Sequence, residues 1–166
     1  MLAAQQTAGV APAWDTGTLF SRLQQDSAKL EPLLKQVKPN EWKSAPGAYG
    51  KALEQLVEQN RAAATRAQSL AKTPDKLADS IELMRALHGV DTLLATLVEG
   101  VRQYQNPALA ELISGVAAEG SPAREAFAAR VLDIASEREQ QYQLVDHEAQ
   151  RCREMLSKSP GRERRK

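Results

Sequence analysis

Several polar residues stand at or beside positions where the helical repeat of this sequence otherwise places apolar side chains, and four of them are its best candidates for chemistry. They are a carboxylate, an imidazole, an amide and a guanidinium: Asp91, His88, Asn60 and Arg138. Each lies near the middle of its own predicted helix, and in an antiparallel bundle with aligned ends the helix midpoints share one height. We therefore predict a buried polar layer in which Asp91 accepts a hydrogen bond from Arg138 and Asn60 bridges to them.

Such a layer has a structural and a functional interpretation. A buried carboxylate must be paired, protonated or hydrated, and a polar layer costs stability while fixing which helices pair. Arg138 can also extend to water with its methylenes packed. The sequence favours this structural interpretation. The alternative is that Asp91, His88, Asn60 and Arg138 line a pocket for a small polar or anionic ligand or a cofactor, because bundles place such sites between facing helices.

Sequence motifs for metal, haem or catalysis are missing. The chain has one cysteine, Cys152, so it has neither an intramolecular disulfide nor a CxxC pair. The paired Glu-x-x-His motifs of di-iron bundles, the CxxCH haem attachment, GxSxG, glycine-rich phosphate loops and HExxH are all absent. We therefore predict no metal, no cofactor and no catalytic residues, and keep an enzyme of unrecognised type as a further alternative.

Apolar spacing of three and four residues predicts five helices that would position these side chains. Three junctions, each a hydroxyl or amide residue followed by proline, divide them, since that pair caps a helix start and needs no N–H donor. The predicted helices cover about residues 16–37, 46–72, 74–105, 106–120 and 121–157.

Three positions carry specific structural expectations. Pro32 lies inside the first helix, so we expect a kink or a restart near Leu30. Trp42 lies in a connector and should close one end of the bundle, because an exposed indole finds apolar cover. The last helix carries a long apolar stripe that partner helices should cover, which would bury Cys152.

Short turns between helices make neighbours antiparallel, so the predicted fold is all-α. We expect an up-down antiparallel bundle of four long helices plus one short helix that lies across one end. With 166 residues the chain has the size of one domain. We assign residues 1–15 to a flexible lead, 16–157 to the bundle and 158–166 to a disordered basic tail.

Charge and hydropathy restrict the classes of partner that the sequence predicts. The net charge is +1, and no aromatic residues are interleaved with the basic tail, so we expect no nucleic-acid binding. No apolar run is long enough to span a membrane. Small residues before a glutamine-rich start favour an exported protein, periplasmic or secreted, whose signal peptide has been removed. A cytoplasmic protein is the alternative. We expect a non-catalytic binding or scaffold module, monomeric or dimeric through the last helix, whose partner is another protein or a small ligand.

Overall fold

A computed structural model describes residues 15–158 of the chain. Within this range the structure is all-α, as predicted. It contains five α-helices and one 3-10 turn at Pro39–Glu41. The helices are α1 (Thr16–Leu34), α2 (Ala48–Leu70), α3 (Leu77–Tyr104), α4 (Pro107–Glu119) and α5 (Ser121–Lys158). The N-terminal lead apart from residue 15, and the basic tail apart from residue 158, lie outside the described residues.

Two helix starts follow the capping chemistry of the sequence, whereas the junction predicted at Thr73-Pro74 is wrong, because α3 begins at Leu77 and the residue before it makes no side-chain cap. Before α1, the Asp15 carboxylate accepts a hydrogen bond from the Thr18 backbone N–H at 3.0 Å. Before α4, the Asn106 side chain accepts from the Ala108 backbone N–H at 2.9 Å, and Pro107 occupies the first helical position. Each cap satisfies an N–H group that has no partner inside its helix. The predicted boundary at Asn106-Pro107 is therefore confirmed.

Pro32 lies within α1, and of the kink or restart expected near Leu30 the restart does not occur. The helix continues past the proline to Leu34 as one element. Pro32 falls in the last turn, and the residue four positions earlier, Ala28, is exposed, so water can reach the carbonyl that the proline leaves without its intrahelical donor. The loss of one hydrogen bond near a helix end is tolerated.

The core divides into two clusters, one in each half of the bundle. The half near the α1–α2 connector is built from Leu30, Leu34, Val37, Trp42, Leu56, Val90, Leu94, Leu97, Val98, Val101, Leu109, Ala110 and Ile113. The other half is built from Leu19, Phe20, Leu23, Ala63, Ala67, Leu70, Leu83, Ala123, Phe127 and Val131. Trp42 is buried as predicted, stacked on Tyr104 and edge-on to Tyr49. It closes the first half from its connector.

Two helices in succession form the fourth side of the bundle. The short α4 runs antiparallel to α3: an ion pair joins its first half to α3 (Arg102–Glu111, 3.0 Å), and its end reaches α1 (Lys29–Glu119, 2.9 Å). The expectation that α4 lies across one end is therefore wrong. Gly120 separates it from α5, whose first half continues along α3 towards the α2–α3 turn at Asp75.

Because α4 occupies half of the fourth side, α5 starts at mid-height and extends beyond the bundle. Its buried residues are Ala123, Phe127, Val131 and Ile134. We define residues 139–158 as the arm: every side chain in it is exposed except that of Ala149, which is half-buried. The expected burial of Cys152 is thus wrong, since that residue is exposed. Among the described residues, no other helix reaches this part of the stripe.

Candidate functional site

A group of charged side chains gathers where α4 ends and α5 begins. Its centre is Arg124, whose Nε lies 3.3 Å from Asp91 Oδ1 on α3. The same guanidinium donates through Nη2 to the Ala117 carbonyl of α4 at 2.7 Å. We name Arg22, Asp26, Asp91 and Arg124 the Arg124 cluster. It joins α1, α3, α4 and α5 at the height where the two halves of the core meet.

Gly120 makes room for this cluster. A Cβ atom placed there would lie 2.6 Å from Arg124 Nη1 and 3.1 Å from Asp26 Oδ2. The first of these distances is shorter than the contacts that real Cβ atoms make, so an alanine at residue 120 would force a neighbouring group to move. The same distances show that the Arg124 guanidinium and the Asp26 carboxylate both lie against Gly120. The junction residue therefore ends α4 and also allows the two side chains to lie together.

Asp26 is the most deeply buried charged residue among those the structure describes, with 5% of its surface exposed. Arg22 Nε lies 3.2 Å from Asp26 Oδ1, but neither carboxylate oxygen receives a hydrogen bond of good geometry from the protein. Burial raises the pKa of Asp26, and the positive charges of Arg22, Lys29 and Arg124 offset part of that rise. Within the chain, the Asp26 carboxyl group is therefore held by its ion pair with Arg22 and by the longer-range attraction of Lys29 and Arg124.

Asp91 is half-buried and lies between two clefts. Burial raises the pKa of its carboxyl group, and Arg124 and His88 lower it in part. One cleft, of about 230 Å³, is lined by Asp91, His88 and Arg124 together with Phe127. The other, of about 320 Å³, opens on the far side of Asp91 against α4 and includes Arg102. A carboxylate and a guanidinium at the edge of an open cleft can hydrogen-bond a small polar molecule.

The predicted pairing of Asp91 with Arg138 is wrong. Arg138 is exposed, and its guanidinium bonds to Gln141 Oε1 at 3.3 Å and to the Asp75 carbonyl at 3.5 Å. The prediction aligned the midpoints of all the helices, whereas α5 begins at mid-height. Its own midpoint therefore lies at the end of the bundle, and Arg124 occupies the position that Arg138 was expected to fill.

The structure separates the remaining two candidates. Asn60 is buried in α2 at 4% exposure, and its Nδ2 donates to the Ser27 carbonyl of α1 at 2.9 Å. It therefore joins α1 to α2 and does not bridge to Asp91 and Arg138 as predicted. His88 is exposed and lines the smaller cleft beside Asp91. Of the four candidates, the structure brings together only His88 and Asp91, and whether they bind a ligand stays a prediction.

Sequence reasoning missed Asp26 and Arg124, although a signal for both was present. Asp26 follows Leu23 by three residues and precedes Leu30 by four, which places it on the apolar face of α1. Arg124 precedes Phe127 by three residues and falls in the first turn of α5. Both interrupt an apolar helix face in the same way as the candidates Asp91, Asn60 and Arg138.

Over residues 15–158, no group of three or more histidine, cysteine, aspartate and glutamate side chains is arranged to hold a metal ion. Nor does any helix in this range have the length and apolar character needed to cross a membrane.

Two apolar surfaces remain open. The first is a groove of about 530 Å³ between α1 and α2, with Leu34, Val37, Leu53 and Val57 in its floor and charged residues at its rim. The second is the arm, whose apolar residues repeat at steps of three and four. We name these residues the seam: Tyr142, Val145, Ala149, Cys152 and Leu156.

Comparison of the chain with models of protein families, with curated proteins and with solved structures returned no match.

Proposed function

We propose that this protein is a non-catalytic binding module, a helical bundle that presents the arm of α5 to a helix of another chain. The seam is the observation that carries the proposal. Its members Tyr142, Val145 and Leu156 are 76%, 64% and 77% exposed. They lie on one face of a helix that extends beyond its own bundle, so none of the residues 15–158 that the structure describes covers them.

Helix energetics support this reading of the arm. A helix in a globular protein owes most of its stability to packing of its apolar face. The arm is about 30 Å long at about 1.5 Å per residue. Among the described residues, its side chains bond only to other residues of α5, as in the contact of Gln150 with Asp146 at 3.2 Å. A partner helix would supply the missing packing.

The seam has the spacing that helix pairing requires. Its residues alternate steps of three and four, the a and d positions of a heptad, which form the contact line of a coiled coil. The neighbouring apolar residues Leu144 and Met155 lie off this line, at 66% and 64% exposure. They provide internal controls, because they are as exposed as the seam but face another direction.

Site-specific photo-crosslinking in the producing cells tests the proposal. A benzophenone amino acid replaces Tyr142 on the seam or, as the matched control, the adjacent exposed residue Gln143, which projects from the opposite face. Irradiation should give an adduct with a defined helical segment of another chain from position 142 and not from position 143, with the segment identified by mass spectrometry. Absence of an adduct at 142, or equal yields at both positions, would contradict the proposal.

A second candidate function, a carrier of a small polar ligand, is favoured by the position of Asp91 between two clefts of about 230 and 320 Å³. Its carboxylate and the guanidinium of Arg124 could bind such a molecule. The test is thermal denaturation with a panel of small polar and anionic compounds. A compound that raises the Tm of the wild type but not of Asp91→Ala, whose helix content is unchanged, would support this function. Equal stabilisation of both proteins would count against it.

A further inference from the structure

We infer that the chain that covers the seam is a second copy of this one, packed antiparallel to it, so that two arms form a short two-stranded coiled coil. The inference rests on the proposed function of the arm and adds the partner and its orientation. It is carried by two observations: the seam lies in line with the core-facing side of α5, and the charges beside the seam complement themselves when the chain is reversed.

The direction of packing follows from where the bundle sits on α5. At about 100° per residue, the buried residues Phe127 and Ile134 and the five seam residues fall within an arc of about 80°. The bundle and the seam therefore occupy the same side of the helix. Two parallel arms would bring both bundles to the same inner side at the same height, where they would overlap. Antiparallel arms place the bundles at opposite ends.

The register follows from the charged residues that flank the seam. In an antiparallel pair, the positions that follow d on each helix approach one another across the contact line. When Val145 lies opposite Leu156 of the second copy, Asp146 lies beside its Arg153, and two-fold symmetry repeats this ion pair. Sliding the copies by one heptad would instead bring Asp146 beside the Asp146 of the other copy, and like charges at that distance repel.

In the same register, apolar side chains fill the contact line from Val145 to Leu156, and Tyr142 lies at its edge, level with the chain beyond the described end of the other α5. Val145 packs against Leu156 and Ala149 against Cys152 of the second copy, each contact occurring twice. The last described residue of α5 in one copy, Lys158, then lies beside residue 143 of the other, which is clear of the residues of α5 that pack on the bundle. The contact is short, and Ala149 and Cys152 are small, which places it among weak, reversible dimers. Self-association should therefore depend strongly on concentration.

Charge exchange tests the partner and the register together. Sedimentation equilibrium over a range of concentrations at low salt measures the dimer dissociation constant. Asp146→Arg and Arg153→Asp should each weaken the dimer about tenfold, since each replaces two ion pairs by two like-charged pairs. The double variant restores both pairs and should recover affinity to within about threefold of wild type. Failure of the double variant to recover overturns the antiparallel register.

A matched pair of substitutions in the arm, one on the seam and one off it, distinguishes a specific contact from non-specific hydrophobic association. Val145→Asp should abolish the dimer, whereas Leu144→Asp, which replaces an equally exposed neighbour off the seam, should leave its dissociation constant nearly unchanged. Circular dichroism confirms that both retain the helix content of the wild type. Equal effects of the two substitutions overturn the inference.

A distance measurement tests the orientation independently. Nitroxide labels are attached through Asp133→Cys, an exposed position on the part of α5 that packs on the bundle, in a Cys152→Ala background that leaves no other cysteine. In the antiparallel dimer the labels should be about 50 Å apart, from about 1.5 Å per residue along both helices. A parallel dimer would hold them within about 30 Å, and that result overturns the inference.

The outcomes also distinguish this inference from the proposed function. If the protein stays monomeric at all concentrations but the probe at position 142 crosslinks to a different protein, the second copy is wrong and the binding module stands. If the protein is monomeric and position 142 gives no adduct, both proposals fail.

Discussion

Replacement of Arg124 by glutamine should destabilise the fold by about 2–3 kcal/mol, while the same replacement at Arg138 should cost less than about 0.5 kcal/mol. The two residues lie in one helix and on the same side of it, and sequence reasoning assigned the central role to Arg138. Glutamine removes the charge and keeps a side chain that favours helix. The comparison therefore isolates what each guanidinium contacts.

The expected magnitude is assembled from the contacts of Arg124. Loss of its charged hydrogen bond to the Ala117 carbonyl, 2.7 Å long, should cost about 1.5 kcal/mol. Its ion pair with Asp91 contributes about 0.5 kcal/mol, because the Asp91 side chain is 44% exposed and solvent screens it. Asp26 also loses one of its compensating charges and keeps Arg22, which adds about 1 kcal/mol more. The bonds of Arg138 are long and exposed, so their loss changes little.

Urea unfolding followed by circular dichroism measures both variants against the wild type at one protein concentration and pH 7. Equal slopes of the unfolding free energy against urea confirm that the comparison concerns stability alone. If Arg138→Gln costs more than Arg124→Gln, or if the two variants are equally stable, the placement of the polar layer described above is refuted.

Three further outcomes follow. Gly120→Ala should destabilise the fold by about 1–3 kcal/mol, because the added Cβ would collide with Arg124 and Asp26. Gly115→Ala is the control: its Cβ would have no neighbour within 4 Å, so it should stabilise the helix by about 0.5–1 kcal/mol. Urea unfolding measures both changes. Burial raises the pKa of Asp26 in the folded protein. The protonated carboxyl group therefore stabilises the fold below about pH 4, and this contribution is lost as the pH rises through the raised pKa. Asp26→Asn does not titrate, so its unfolding free energy should increase relative to that of the wild type between about pH 3.5 and 7. A constant difference would contradict this. Leu97→Ala should cost about 2–5 kcal/mol and Leu112→Ala, at 60% exposure, less than about 0.5 kcal/mol; similar losses in thermal unfolding would show that the core is misplaced.

The helices could be predicted from sequence because their signals are local. Periodicity depends on neighbours three and four positions away, and a cap depends on adjacent residues. Asn106-Pro107 and Ser121-Pro122 therefore fixed where α4 and α5 begin. The burial of Trp42 followed from the cost of leaving an indole in water.

The partners of the polar residues could not be predicted because they depend on the relative heights of the helices. Apolar periodicity places Arg124 and Arg138 on the same side of α5 and does not say which of them faces Asp91. That choice depends on how much of the fourth side α4 occupies, which is a tertiary property. The exposure of Cys152 has the same origin.

The division of the fourth side at Gly120 has a dynamic consequence. Three helices run through both halves of the core, but one half is completed by α4 and the other by the start of α5. Detachment of α4 would admit water around Leu97 and Ile113 and leave the packing of Phe20 on Phe127 intact. Amide hydrogen exchange should therefore resolve two cooperative units with separate opening free energies, and the contacts of Arg124 with Asp91 and with the Ala117 carbonyl determine how strongly the opening of one unit affects the other.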